Sequence, residues 1–261
     1  MDADGGVVRV FASDSAAAAE ADGERITKAA GLNRIAWTLA YAGPELPEGA
    51  VVWGYTGGVK APPGRYSVRM TVGDTMLERA FELLPDPRIP EVTAAGYAAQ
   101  FRVAIQARDS INSITRAIED LAAIRAQVET VMERARVAAT DAELQALADT
   151  LADKSMAVTE DLMQTRNRSN QDPIRFPPRL DNQWLELYGR ITGVDGYISG
   201  GAEGAPHPGT LERLEDLNVQ WEAVRIRYTD LLENELVRFN EAVERLGLPA
   251  VALPRRARIV S

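Results

Sequence analysis

The chain contains no cysteine, so neither disulfides nor thiolate metal sites contribute to its fold, and cysteine usage assigns no compartment. It has one histidine, His207, and therefore no second imidazole for a histidine metal site. No apolar run approaches the ~18 residues that suggest a membrane-spanning helix, so membrane insertion is not expected. A net positive balance is also lacking. With 29 basic and 38 acidic residues the formal net charge is -9, whereas a general affinity for nucleic acid requires a net positive face. Residues 1–10 lack the basic stretch and apolar core of a secretory signal, so the residues alone predict either a cytoplasmic protein or a piece of something longer. No set of polar residues has the spacing of a catalytic, cofactor or metal site, and none is assigned.

What is present begins with helical periodicity. From about residue 93 to 138, apolar residues recur every three or four positions: Tyr97, Phe101, Ile105, Ile111, Ile114, Ile118, Leu121, Ile124, Val128, Val131 and Ala135. Arg102, Arg116, Glu119, Arg125 and Glu133 fall off this stripe, and the pattern predicts one very long amphipathic helix. At 1.5 Å per residue it would span about 65 Å, so it needs long antiparallel partners rather than a small domain to bury it. Thr140 and Glu143 form a capping-box pattern for a second helix reaching about residue 164, weaker around Lys154 and Ser155. A third helix is expected over 181–198, where Gly189, Gly193 and Gly196 predict a close backbone neighbour. A fourth is expected from Thr210, read as its N-cap, to Leu246, ended by Gly247 and Pro249.

Residues 1–87 carry strand and turn signals instead. Residues 7–11 are β-branched after a Gly5-Gly6 turn, as if a preceding strand were missing, and residues 32–39 alternate, with Leu32, Ile35, Trp37 and Leu39 as candidate core. A Pro62-Pro63-Gly64 turn feeds a strand whose inward set is Tyr66, Val68, Met70 and Val72. Gly73-Asp74 then turns it into a hairpin. The expectation is an α+β multidomain chain. It comprises an immunoglobulin-like β-sandwich over 1–87, a proline linker over 88–92, an up-down four-helix bundle over 93–250 and a basic tail over 251–261, expected to be disordered.

Candidate contact residues are few. Trp53 and Tyr55 ride on a glycine-rich loop, where burial is not implied, and are candidates for contact with another domain or with a ligand. Arg168, Arg175 and Arg179 lie in a proline-bearing crossover and are candidates for anion contact, although pairing with neighbouring carboxylates is the favoured reading in an acidic chain. The pairs Glu119/Asp120 and Glu215/Asp216 are expected on solvated helix faces, and glycosidase chemistry would require two carboxyls about 5 to 10 Å apart across a cleft. His207, between two prolines, is expected at the surface.

Several local motifs occur in a fixed order. They are Gly31-Leu32-Asn33-Arg34-Ile35-Ala36-Trp37, Ala61-Pro62-Pro63-Gly64-Arg65-Tyr66-Ser67-Val68, and Asp86-Pro87-Arg88 before a helix bearing Gln100-Phe101 and Arg108-Asp109. The crossover Asp172-Pro173-Ile174-Arg175-Phe176-Pro177-Pro178-Arg179-Leu180 and the closing Leu246-Gly247-Leu248-Pro249 follow. Together they resemble the C-terminal region of bacterial sortilin-like β-propeller proteins, often labelled BNR or Asp-box repeat glycosyl hydrolases or sialidases. No Asp-box repeat occurs in this chain, so none of the propeller's chemistry transfers to its residues. The resemblance implies an exported, non-catalytic accessory module that packs against or presents a β-propeller domain or subunit, with a carbohydrate or protein ligand. The alternatives are a glycoside hydrolase subunit whose Trp53/Tyr55 loop reaches a sugar, and a self-associating helical scaffold.

Overall fold

The computed structural model describes residues 1–14, 25–138, 142–192 and 203–254, and within them the fold is α+β, with one β-hairpin ahead of four helical rods. Strands β1 (Gly64–Val72) and β2 (Thr75–Leu83) pair antiparallel, with Tyr66 opposite Phe81, Met70 opposite Leu77 and Val72 opposite Thr75. Gly73, at φ 56°, supplies the left-handed backbone of the two-residue turn.

The other expected strands do not join this sheet. Among the described residues the segments around 7–11 and 32–39 contribute only isolated bridges, Ala12 to Arg25 and Ala40 to Lys60. Leu39 is left-handed at φ 58°, which breaks an extended run. The candidate core residues also differ, since Leu32, Ile35 and Leu39 are exposed and only Trp37 is half-buried. Alternation marks a surface that a second layer could cover, but it does not supply that layer. A small apolar cluster of Val8, Ala61 and Tyr66, flanked by Trp37, Tyr41, Phe81 and Leu83, holds the base of the hairpin.

Helix α1 (Ala94–Ala138) begins where Thr93 caps it, its hydroxyl oxygen accepting from the Gly96 N–H at 3.1 Å. The predicted stripe is the buried one, from Tyr97 and Ile111 through Leu121 and Ile124 to Ala135, with Phe101 and Ile105 half-buried. Helix α2 is Ala142–Leu162; Thr140 and Asp141 of the predicted capping box lie outside the described residues. Helix α3 is Leu180–Thr192, and residues 193–198 of the expected third helix also lie outside them.

The last rod comprises α4 (Pro208–Asp230), a π-helical turn (Leu231–Glu235) and α5 (Leu236–Arg245). Its N-cap is His207 rather than Thr210: the His207 ring Nδ1 accepts from the Gly209 N–H at 3.2 Å, and Pro208 takes the first helical position, where a missing N–H costs nothing. Gly247, at φ 68°, ends the rod as expected, with the Leu248 N–H bonded to Val243 O at 3.2 Å.

Helix α1 packs against α2 and α3, which in turn pack against the last rod. Ion pairs Glu143–Arg245, Lys154–Glu235 and Asp161–Arg227 step in opposite directions along the two partners, so α2 and the last rod are antiparallel. The weak middle of α2 puts Ser155, with Thr159 one turn on, into a buried polar layer, while Lys154 stays exposed. Arg125 reaches from α1 to the Ser155 and Thr159 hydroxyls at 2.8 and 2.9 Å, and Asp120 accepts from the Tyr228 hydroxyl at 2.7 Å. Asp120, expected at the surface, is therefore buried at 5% exposure. Its neighbour Glu119 is exposed, as are Glu215 and Asp216.

The tail departs from expectation at its start. Val251 is buried at 4% exposure, Asn240 brackets its N–H and C=O, and Gln127 does the same for Ala252. Residues 255–261 lie outside the described residues.

Candidate functional site

Trp53 and Tyr55 sit where the loop 41–59 crosses the helices. The Trp53 N–H donates to Asn182 Oδ1 at 2.7 Å and Asn182 Nδ2 donates back to Trp53 O at 2.8 Å, so one side chain at the start of α3 replaces a strand partner for that residue. Nearby, Asn167 donates to Val51 O at 3.0 Å, and Tyr188 donates to Gly57 O at 2.7 Å. Burial pushes the Tyr188 hydroxyl well above its ordinary range, so it remains a donor at any working pH. Tyr55 stacks on Tyr188 with centroids 5.7 Å apart. This approach requires Gly54 and Gly189. A Cβ on Gly54 would lie 2.9 Å from Leu185 Cβ, and one on Gly189 would lie 3.3 Å from Tyr55 Cβ. At the loop's other end Glu45 is held by Asn112, Thr115 and Arg116 of α1.

Tyr55 is thus a half-buried contact with α3, while Trp53 as a residue is 45% exposed. The indole N–H of Trp53 donates to Asn170 O at 2.8 Å, which sets the ring against the crossover that carries the candidate arginines.

In that crossover, Asp172 turns inward on the backbone. It accepts from the Arg168 and Ser169 N–H groups at 2.6 and 2.9 Å, and these bonds hold its carboxyl below the ordinary range. Among the described residues no ion pair includes Arg166, Arg168, Arg175 or Arg179. The favoured expectation, pairing of Arg168, Arg175 and Arg179 with carboxylates, is therefore not what the geometry shows. Arg166 lies over the Phe176 ring with its Cζ 4.5 Å from the centroid, and Arg175 lies 5.8 Å from the same centroid. Sequence reasoning passed over Arg166 and Phe176. The signal was the density of charge, four arginines and one acidic residue in positions 164–179.

The hairpin presents a second surface. Pairing places Tyr66, Val68, Met70 and Val72 of β1 on one face with Leu77, Arg79, Phe81 and Leu83 of β2. Only the base is covered: Tyr66 is 6% exposed, whereas Val68, Met70, Val72 and Leu77 are 58, 51, 65 and 48% exposed. Ser67 exchanges two hydrogen bonds with Met1, at 2.9 and 2.8 Å, on the edge away from β2. By the alternation of antiparallel pairing, the N–H and C=O groups of Arg69 and Thr71 point to that same edge. None of them has a backbone partner among the described residues.

Two clefts, of about 420 and 510 Å³, flank Gln100, which bridges Ile191 O and the Gly204 N–H. Two acidic residues along them are already paired, Glu203 with Lys60 at 2.7 Å and Asp86 with Arg88 at 2.6 Å. Among the described residues no group of three or more His, Asp or Glu could hold a metal ion, and no helix is long and apolar enough to cross a membrane. Comparison with protein-family models, with curated proteins and with solved structures finds no match to this chain.

Proposed function

We propose that this chain is a non-catalytic interaction module of an exported sortilin-like protein, and that it docks through its hairpin onto a β-propeller domain or subunit. The observation that carries this reading is the outer half of the hairpin, an apolar face of Val68, Met70, Val72 and Leu77 left open beside a free strand edge. A two-stranded hairpin is marginal on its own, and an exposed edge with an apolar face is the usual substrate for strand addition by a partner. Met1, seated on Ser67, occupies the first position such an added strand would take. In this reading residues 1–87 are one part of an immunoglobulin-like sandwich that the partner completes, and the helical rods of 93–250 close as an up-down four-helix bundle that holds it rigid. The identity of the partner as a propeller rests on the motif resemblance.

The test is co-expression of the chain with an Asp-box propeller encoded directly upstream, followed by size exclusion with light scattering. A 1:1 complex is expected, and Val68→Ser with Met70→Ser should abolish it while leaving the helical circular dichroism unchanged. Propeller and chain eluting separately, or hydrolysis of aryl glycosides by the isolated chain, would overturn the reading.

A further inference from the structure

The crossover between α2 and α3 carries a concentration of positive charge that the rest of the chain does not explain. The protein has a net charge of -9, yet positions 164–179 hold four arginines and a single acid, Asp172. That acid is engaged by backbone N–H groups and gives no oxygen to a guanidinium within bonding distance. Two of the cations share one ring, since Arg166 and Arg175 both lie against Phe176. Like charges gathered without a carboxylate repel, and the arrangement persists only if the ring and the solvent compensate, or if an anion does.

The arrangement is also built rather than loose. The Arg166 Nε donates to Gln164 Oε1 at 3.3 Å, and Gln164, 9% exposed, donates to Pro177 O at 2.9 Å, tying both ends of the crossover together. Arg166 itself is exposed. Arg179 Nε and Asn167 Oδ1 are buried with no hydrogen-bond partner, so two further polar atoms lie unsatisfied in the same segment. Beside them stands Trp53, an exposed residue whose indole N–H donates to Asn170 O.

We infer that Arg166 and Arg175, with Trp53, form a binding site for an acidic polysaccharide. The guanidinium forks match carboxylate or sulfate oxygens, and an exposed indole gives a flat apolar face for a sugar ring. An acidic polypeptide would satisfy the arginines but would have little use for the indole, which favours the saccharide. The site is independent of the hairpin and does not rest on the proposed propeller.

Affinity electrophoresis of the whole chain in gels containing polygalacturonate, dextran sulfate, neutral dextran or poly-L-glutamate tests this directly. Retardation is expected with one or both acidic polysaccharides and not with neutral dextran; which of the two binds separates carboxylate from sulfate recognition. Losing charge-assisted hydrogen bonds costs roughly tenfold or more in affinity, so Arg166→Gln with Arg175→Gln should weaken retention by at least that factor. Both residues are exposed, and unchanged circular dichroism confirms the fold. Trp53→Ala should weaken polysaccharide binding too; it removes the indole with its bond to Asn170 O and keeps both backbone bonds to Asn182. The inference is overturned if neither acidic polysaccharide retards the wild-type chain or if the double variant is retained as strongly. Binding of poly-L-glutamate that ignores Trp53→Ala would also overturn it, and would assign the site to a protein partner.

Discussion

Asp181→Asn is expected to flatten the dependence of stability on pH between 4 and 8 and to make the protein more stable than wild type at pH 8. Asp181, in the first turn of α3, is 3% exposed and accepts one hydrogen bond, from the Asn182 N–H at 2.6 Å. Burial pushes its carboxyl up to about 7, and the Asn182 N–H opposes this only partly. Because the folded-state value lies above the ordinary ~3.9 of an unfolded aspartate, the folded protein holds the proton more tightly between these limits. Stability from this group is fully present below pH 4, falls as pH rises, and is gone above about pH 7. At 1.36 kcal/mol per unit the loss is at most about 4 kcal/mol. Asparagine stays neutral throughout and keeps the acceptor oxygen. Its amide donors need partners in the same buried place, at a cost of about 1 to 3 kcal/mol, so a net gain of up to roughly 1 to 3 kcal/mol remains at pH 8. Urea titrations of both proteins at pH 4, 6 and 8 measure it; parallel profiles would show that Asp181 ionises freely in the folded state.

Deleting single residues from the last rod should have opposite outcomes depending on place. Its apolar stripe runs through Leu214, Leu217, Trp221, Val224, Tyr228 and Leu231 at steps of three and four, then takes one step of five to Leu236 before Phe239 and Val243 resume. The π-helical turn Leu231–Glu235 falls in that step, where one extra residue is absorbed without rotating the two flanks relative to each other. Deleting Asn234 should restore continuous α-helix and leave the melting temperature within a few degrees, since Leu231 and Leu236 return to a step of four. Deleting Glu222 instead rotates one flank by about 100°. It moves either Leu214, Leu217 and Trp221, or Val224 and Leu231, out of the core they now fill. At about 1.5 to 3 kcal/mol per buried side chain, that is a loss of roughly 5 kcal/mol or more, enough to remove the cooperative melt of a marginally stable protein. Thermal denaturation followed by circular dichroism distinguishes the two; equal losses would mean that the π turn is a structural requirement rather than an absorbed insertion.

The helical part was legible because burial on a helix leaves a periodic record. The α1 stripe and the Gly247 stop both follow from spacing and residue type. The step of five at Leu231 is equally visible in the sequence, as is Pro208 at the first helical position, which marks His207 rather than Thr210 as the cap. The N-terminal third was legible only in part. The alternation of Val68, Met70 and Val72 predicts a strand with an apolar face, which is present, but it says nothing about whether anything lies on that face. Contacts such as Asn182 with Trp53 or Asn167 with Val51 join side-chain amides to backbone in irregular loops and leave no period to detect. The crossover arginines were seen, but their pairing was inferred from overall charge. Local geometry decided otherwise once Asp172 had turned to its own backbone.

Amide hydrogen exchange of the hairpin, measured on the chain alone and after mixing with an Asp-box propeller, tests the proposed docking. The account predicts that the Arg69 and Thr71 amides, free on the outer edge of β1, gain protection in the complex together with the turn at Gly73. Protection confined to the helices, with Arg69 and Thr71 exchanging as fast as in the free chain, would contradict it.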